Sequence, residues 1–125
     1  MRLHGSFDIT IEGNVLTSHF YGPWNFEQTK TYQLEVMKRA ETIIDKPWVR
    51  IVDLSQWEGG GEEVVAPLVQ LQEWALANNC IEIVFVNPPL VPSFMLEKYG
   101  DPYGDYKVVK SIEEAKDWLT SHVLT

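Results

Sequence analysis

Residues 81–86 read Ile-Glu-Ile-Val-Phe-Val, the most continuous apolar run in the chain, and Asn87, Pro88 and Pro89 end it at once. A short run of this kind, without polar alternation, suits a strand buried on both faces, as strands of parallel sheets are. A second such run, Trp-Val-Arg-Ile-Val-Asp-Leu, occupies residues 48–54. Between the two, Val64, Leu68, Leu71 and Ala75 recur at helical spacing up to Asn78 and Asn79. Strand, helix and strand in that order make a parallel crossover unit. Arg50, in the run at residues 48–54, requires an edge position or a partner.

The flanking segments extend the pattern. Phe7, Ile9 and Ile11 alternate with polar residues, Glu12, Gly13 and Asn14 supply a turn, and residues 15–21 return as a second strand. This is a hairpin. Gly22, Pro23 and Trp24 break it, and Asn25 followed by Gln28 forms a loose capping box. The helix that begins there carries Val36, Met37, Ala40, Ile43 and Ile44 and should stop before Pro47. Gly59, Gly60 and Gly61 read as a flexible break, after which Pro67 is tolerable only in the first turn of the next helix. Residues 93–99 read as a short helix closed by Gly100, residues 101–104 as a turn, and residues 106–109 as a last strand. Ser111 and Glu114 form a capping box for a final helix with Ile112, Ala115, Trp118 and Leu119 on one face.

The predicted order is β-β-α-β-α-β-α-β-α: an α/β domain spanning residues 1–125, with a mostly parallel sheet, an antiparallel N-terminal strand and helices packed on it. Ligands and partners of such sheets meet the loops at the carboxyl ends of the parallel strands. Those loops are residues 21–25, 53–61, 87–94 and 110–111, and they carry Trp24, Trp57, Phe94, Pro88, Pro89 and Pro92.

Charge narrows the function classes. The chain has 125 residues with 10 Lys and Arg against 18 Asp and Glu, a formal charge of −8. Its few cations are scattered, which argues against nucleic acid and against an anionic membrane surface. No apolar run reaches the roughly 20 residues of a spanning helix, and the first residues lack the apolar stretch of a signal peptide. The lone Cys80 fits a reducing cytoplasm and reads as a packing residue, so the expected location is cytoplasmic.

No catalytic set is visible. There is no Gly-x-Ser-x-Gly elbow and no Cys-x-x-Cys, and His4, His19 and His122 are too dispersed for metal-ligand spacing. Neither a metal nor a cofactor is implied. The three glycines before a helix suggest a phosphate loop, but Glu62 and Glu63 already complement the helix dipole there and repel phosphate. Asp53 superficially resembles the phospho-accepting aspartate of response-regulator receivers, yet the acidic pair that holds magnesium in that chemistry is missing. It reads instead as a loop-capping residue, its carboxylate accepting backbone N–H groups.

Strand, then Asp53, Leu54 and Ser55, then a small-residue turn and a helix resembles the Asp-Leu-Ser segment of STAS domains, the anti-anti-sigma-factor-like fold. The element order is similar to that family over nearly the whole chain, and most similar to its SpoIIAA-like, uncharacterised bacterial branch. The architecture is also similar to Sec14-type lipid-binding domains. The resemblance implies a regulatory switch: a kinase-phosphorylated serine at the start of the helix after Asp-Leu-Ser. Here that place holds Gly61, Glu62 and Glu63, and no Ser, Thr or Tyr occurs anywhere in residues 56–92. Phosphorylation at the family's position is therefore chemically impossible, and the two glutamates read as ordinary first-turn acids.

These observations favour a non-enzymatic interaction module that binds a protein partner or itself as a homodimer, through Trp57, the glycine turn and residues 88–94. The alternative is a small apolar ligand or lipid lodged among Trp24, Trp57, Leu90, Phe94 and Met95, with Asp53, Ser55 and Asn87 as polar groups.

Overall fold

Gly13, at φ 61, takes the first position of a two-residue turn that closes β1 (Ser6–Glu12) onto antiparallel β2 (Val15–Gly22). The left-handed φ is one that glycine adopts without steric cost. The computed structural model describes residues 5–88, 98 and 106–123. Beyond the hairpin come α1 (Phe26–Arg39), a 3-10 turn (Ala40–Thr42), β3 (Trp48–Trp57), a second 3-10 turn (Glu62–Val64), α2 (Val65–Ala77), β4 (Cys80–Val86), β5 (Lys107–Val109) and α3 (Ile112–His122). Of the predicted helix over residues 93–99 only residue 98 is described, and the turn over residues 101–104 lies outside the described residues.

The strands form one mixed sheet in the order β1-β2-β3-β4-β5, with β1 antiparallel to β2 and every other pair parallel. The helix starts follow their local chemistry. Asn25 accepts the N–H of Gln28 at 2.8 Å, and Ser111 accepts that of Glu114 at 3.1 Å. Each satisfies an amide that the first helical turn leaves without a partner. Pro67 is the third residue of α2, where its missing N–H costs nothing.

Two apolar layers sandwich the sheet. On one face Leu16, Phe20, Val52, Leu54, Ile83 and Phe85 pack with Tyr32 and Val36 of α1 and Leu68, Leu71 and Ala75 of α2. On the other, Val49, Ile51, Val84, Val86 and Val109 pack with Ala115 and Leu119 of α3. β3 lies between and is buried on both faces through most of its length.

Arg50 is fully buried at the centre of that strand. It requires no sheet edge, because α1 and α2 supply partners: one guanidinium nitrogen donates to Tyr32 Oη at 2.7 Å and another to Gln72 Oε1. Tyr32 in turn donates to Ser18 Oγ at 2.7 Å. The sheet face and both helices are thus tied through one buried charge and its polar partners.

β3 also runs further than the apolar run at residues 48–54 implies. Between His19 and Tyr21 the β2–β3 register slips: His19 stands opposite Asp53, but Tyr21 stands opposite Gln56. Two steps on β2 match three on β3, so β3 carries a bulge. The additional residue leaves Ser55 and Gln56 exposed and returns Trp57 to the face covered by α1 and α2.

Candidate functional site

At the bulge, Asp53 is the centre of a small polar cluster. Its Oδ1 accepts the Ser55 N–H at 3.0 Å and the Ser55 hydroxyl at 2.6 Å. That bond occupies the Ser55 amide within its own strand, and so stabilises the slip that the ladder requires. Asp53 accepts a backbone N–H as the sequence suggests, but it does so inside β3 at a bulge rather than in a loop. Its other oxygen, Oδ2, lies 2.8 Å from His19 Nδ1, with the two side chains 17% and 30% exposed.

His19 continues the row toward the sheet edge. Asp8 is its register partner on β1, so Asp8, His19 and Asp53 line up across three strands on one face. Tyr21, two residues along β2, donates its hydroxyl to Asp8 Oδ2 at 3.2 Å. Its phenol is held above the usual value of 10.0, first by burial, then by the hydrogen bond to Asp8 and the negative fields of Asp8 and Asp53. The polar row is thus electronegative. His19 escaped notice in the sequence because its partner is 34 residues away and pairing register is not written locally. The one available signal was parity, since His19 falls on the same side of β2 as Val15 and Thr17.

The aromatic residues expected to line a partner surface or ligand pocket are in the core. Trp24 is 4% exposed and Trp57 2%. Trp24 stacks on Phe20 with ring centroids 4.1 Å apart, and Trp57 meets Phe20 edge-on at 5.4 Å. Tyr32 closes the group at 5.4 Å from Trp24. These rings pack on one another within the core, and the bulge is what turns Trp57 inward. The expectation of an exposed Trp57 is therefore corrected. Leu90, Phe94 and Met95 lie outside the described residues.

The glycine turn is docked rather than loose. Gly59, at φ 76, accepts the Trp24 N–H on its carbonyl at 2.8 Å, and a Cβ on Gly60 would stand 2.5 Å from the Trp24 carbonyl oxygen. Glu62 and Glu63 are exposed in the turn that leads into α2. Glu62 also borders a groove of about 420 Å³, whose lining among the described residues includes Val65, Ala66, Val69 and Lys98. Asn87 ends β4 at φ 47 and donates its N–H to Val109 at 2.7 Å, a strand-joining role. The structure thus joins Asp53 with Ser55 and Trp24 with Trp57, but assigns Glu62 and Asn87 to other surroundings.

Cys80 is buried with its Sγ directed at the Glu82 carbonyl, as a packing residue is. Among the described residues no cluster of three or more His, Cys, Asp or Glu could hold a metal ion, and no helix is long and apolar enough to cross a membrane.

A five-stranded mixed sheet in sequential order, with this distribution of helices, is the SpoIIAA-like α/β fold. An uncharacterised protein of the DUF3478 family from Shewanella loihica PV-4, itself SpoIIAA-like, superposes with a TM-score of 0.69 at 15% identity, covering 95% of this chain and 98% of that one. The anti-sigma factor antagonist SpoIIAA in its unphosphorylated form superposes with a TM-score of 0.73 at 12% identity over 94% and 99%. A proposed anti-sigma factor antagonist from Thermotoga maritima gives 0.69 at 14% identity over 91% and 94%. No protein-family model and no curated protein matches the sequence.

Proposed function

We propose that the protein is a cytoplasmic, non-catalytic regulatory module that binds a protein partner, STAS-like in architecture and independent of serine phosphorylation at the start of α2. The observation that carries this reading is the full-length likeness to a structure named as an anti-sigma factor antagonist, a protein defined by its action on another protein. The chemistry of the α2 start agrees with it. Gly61, Glu62 and Glu63 stand where the resemblance places the switch serine, and residues 56–92 lack any hydroxyl that a kinase could use. Fixed carboxylates cannot be cycled, so binding there is constitutive or controlled from the partner's side.

The contact surface in this reading is the α2 groove. Val65, Ala66 and Val69 give it an apolar floor, with Glu62 and Lys98 as charges of opposite sign to orient a partner. A photo-crosslinking amino acid at Ala66, incorporated in the cells the protein comes from, should yield one discrete protein adduct, weakened by Glu62→Lys. Absence of any adduct from Ala66, with the protein expressed and folded, defeats the reading.

A further inference from the structure

The outer strand of the sheet offers a second surface, built from residues that take no part in the α2 groove. Among the described residues β1 pairs with β2 on one side only. Because a two-residue turn sets Glu12 opposite Val15, residues Glu12, Thr10 and Asp8 exchange their backbone hydrogen bonds with β2. The N–H and C=O groups of Phe7, Ile9 and Ile11 then point away from the sheet. One contact verifies the parity: Arg39 Nη2, from the last turn of α1, donates to the Ile9 carbonyl at 3.1 Å. A cation of the chain itself thus occupies a site on the strand edge.

The edge is flanked by a groove of about 560 Å³ that reaches from Arg39 and Glu35 on the α1 side to Asp8, His19 and Tyr21 on the other. The two sides differ in chemistry. Phe7 and Ile11 pack partly against the helix-covered core, whereas Asp8 and Glu12 are exposed on the opposite side. β1 and β2 contain no Lys or Arg; Lys116 of α3 stands 3.6 Å from Glu12 as an exposed pair that a basic segment would displace, and the fields of Asp8 and Asp53 already raise the Tyr21 phenol.

We propose that the β1 edge accepts an extended segment of a basic protein partner as an added strand. The segment's backbone pairs with Phe7, Ile9 and Ile11 after Arg39 swings off the Ile9 carbonyl. Its alternate residues, Lys or Arg, lie over Asp8 and Glu12, and those between are apolar and lie beside Phe7 and Ile11. A second copy of this chain fits less well, since it brings together two molecules of formal charge −8.

The test is amide hydrogen exchange by NMR, with a short synthetic peptide alternating Lys and Val and a control alternating Glu and Val. The basic peptide should slow exchange at Phe7, Ile9 and Ile11 by about tenfold or more and leave Asp8 and Thr10, already bonded to β2, unchanged. Asp8→Lys should abolish that protection, and Arg39→Ala should strengthen it by freeing the carbonyl. Unchanged exchange at the three amides under saturating basic peptide overturns the proposal. So does equal protection by the acidic peptide, or protection at high protein concentration with no peptide, which assigns the edge to self-association.

Discussion

His19 on β2 stands directly opposite Asp53 on β3, and its Nδ1 lies 2.8 Å from the Asp53 carboxylate whose other oxygen holds Ser55. One side chain therefore joins two parallel strands and fixes the bulge that directs Trp57 into the core. Asp53→Ala should lower stability by about 1–2 kcal/mol, the net worth of a part-buried, charge-assisted hydrogen bond. Asp53→Asn, which keeps an acceptor for the Ser55 N–H, should restore much of that loss. Urea unfolding followed by tryptophan fluorescence measures both, and an alanine variant as stable as the parent shows that the bulge does not depend on the carboxylate.

The Tyr32 hydroxyl accepts from Arg50 and donates to Ser18, so it is the middle link of the buried network. Tyr32→Phe keeps the ring but leaves a buried guanidinium with one acceptor fewer. The expected cost is about 1.5–3 kcal/mol, larger than that of Ser18→Ala, because an acceptor lost to a buried charged donor costs more than one lost to a neutral hydroxyl. Replacing Arg50 by Met in the Tyr32→Phe background should recover part of the loss, since the charge goes with its partner. Denaturation midpoints of the single and double variants decide the order, and additive effects contradict a shared network.

Residues 48–54 and 81–86 declared the parallel strands, and Asn25 and Ser111 the helix starts, because burial and capping act through neighbours a few residues apart. The central site was only half legible for the same reason. That the Asp53 carboxylate accepts a nearby N–H is legible, because Ser55 is only two residues away, whereas the His19 contact depends on register across a crossover. Trp57 reads as a loop residue because the apolar run ends at Leu54, whereas the bulge lets β3 continue three residues further and turns Trp57 toward α1 and α2. Arg50 was recognised as needing a partner, but Tyr32 and Gln72 come from two different helices and become neighbours only when both pack on the sheet.

Gly60 sits against the Trp24 backbone, and a methyl group there would also meet Val64 Cγ1 at 2.8 Å. Gly60→Ala should therefore cost about 1–3 kcal/mol by overpacking, although a glycine in an open turn is ordinarily improved by alanine. Gly61→Ala is the informative companion: its Cβ would press on the Glu63 carboxylate, the far end of a movable side chain, so its effect should be smaller. Thermal unfolding of the two variants measures the difference, and equal midpoints show that the turn does not dock on Trp24.

Glu82, half-buried in β4, has its carboxyl raised above the usual 4.5 because burial disfavours the charged form, an effect only partly offset by the Ile83 N–H that donates to its Oε1 at 3.0 Å. The folded state thus holds this proton more tightly than the unfolded chain does. The stabilisation is fully present below the unfolded value and is lost as pH rises through the folded one. Glu82→Gln keeps an oxygen for the Ile83 N–H and never ionises. Parent and variant should therefore differ least near pH ~4, and the variant should become progressively the more stable as pH rises toward ~7. Urea midpoints of both proteins across that window provide the measurement, and the remaining carboxylates cancel in the difference. A gap between the two that stays constant with pH would mean that Glu82 does not titrate differently in the folded and unfolded states.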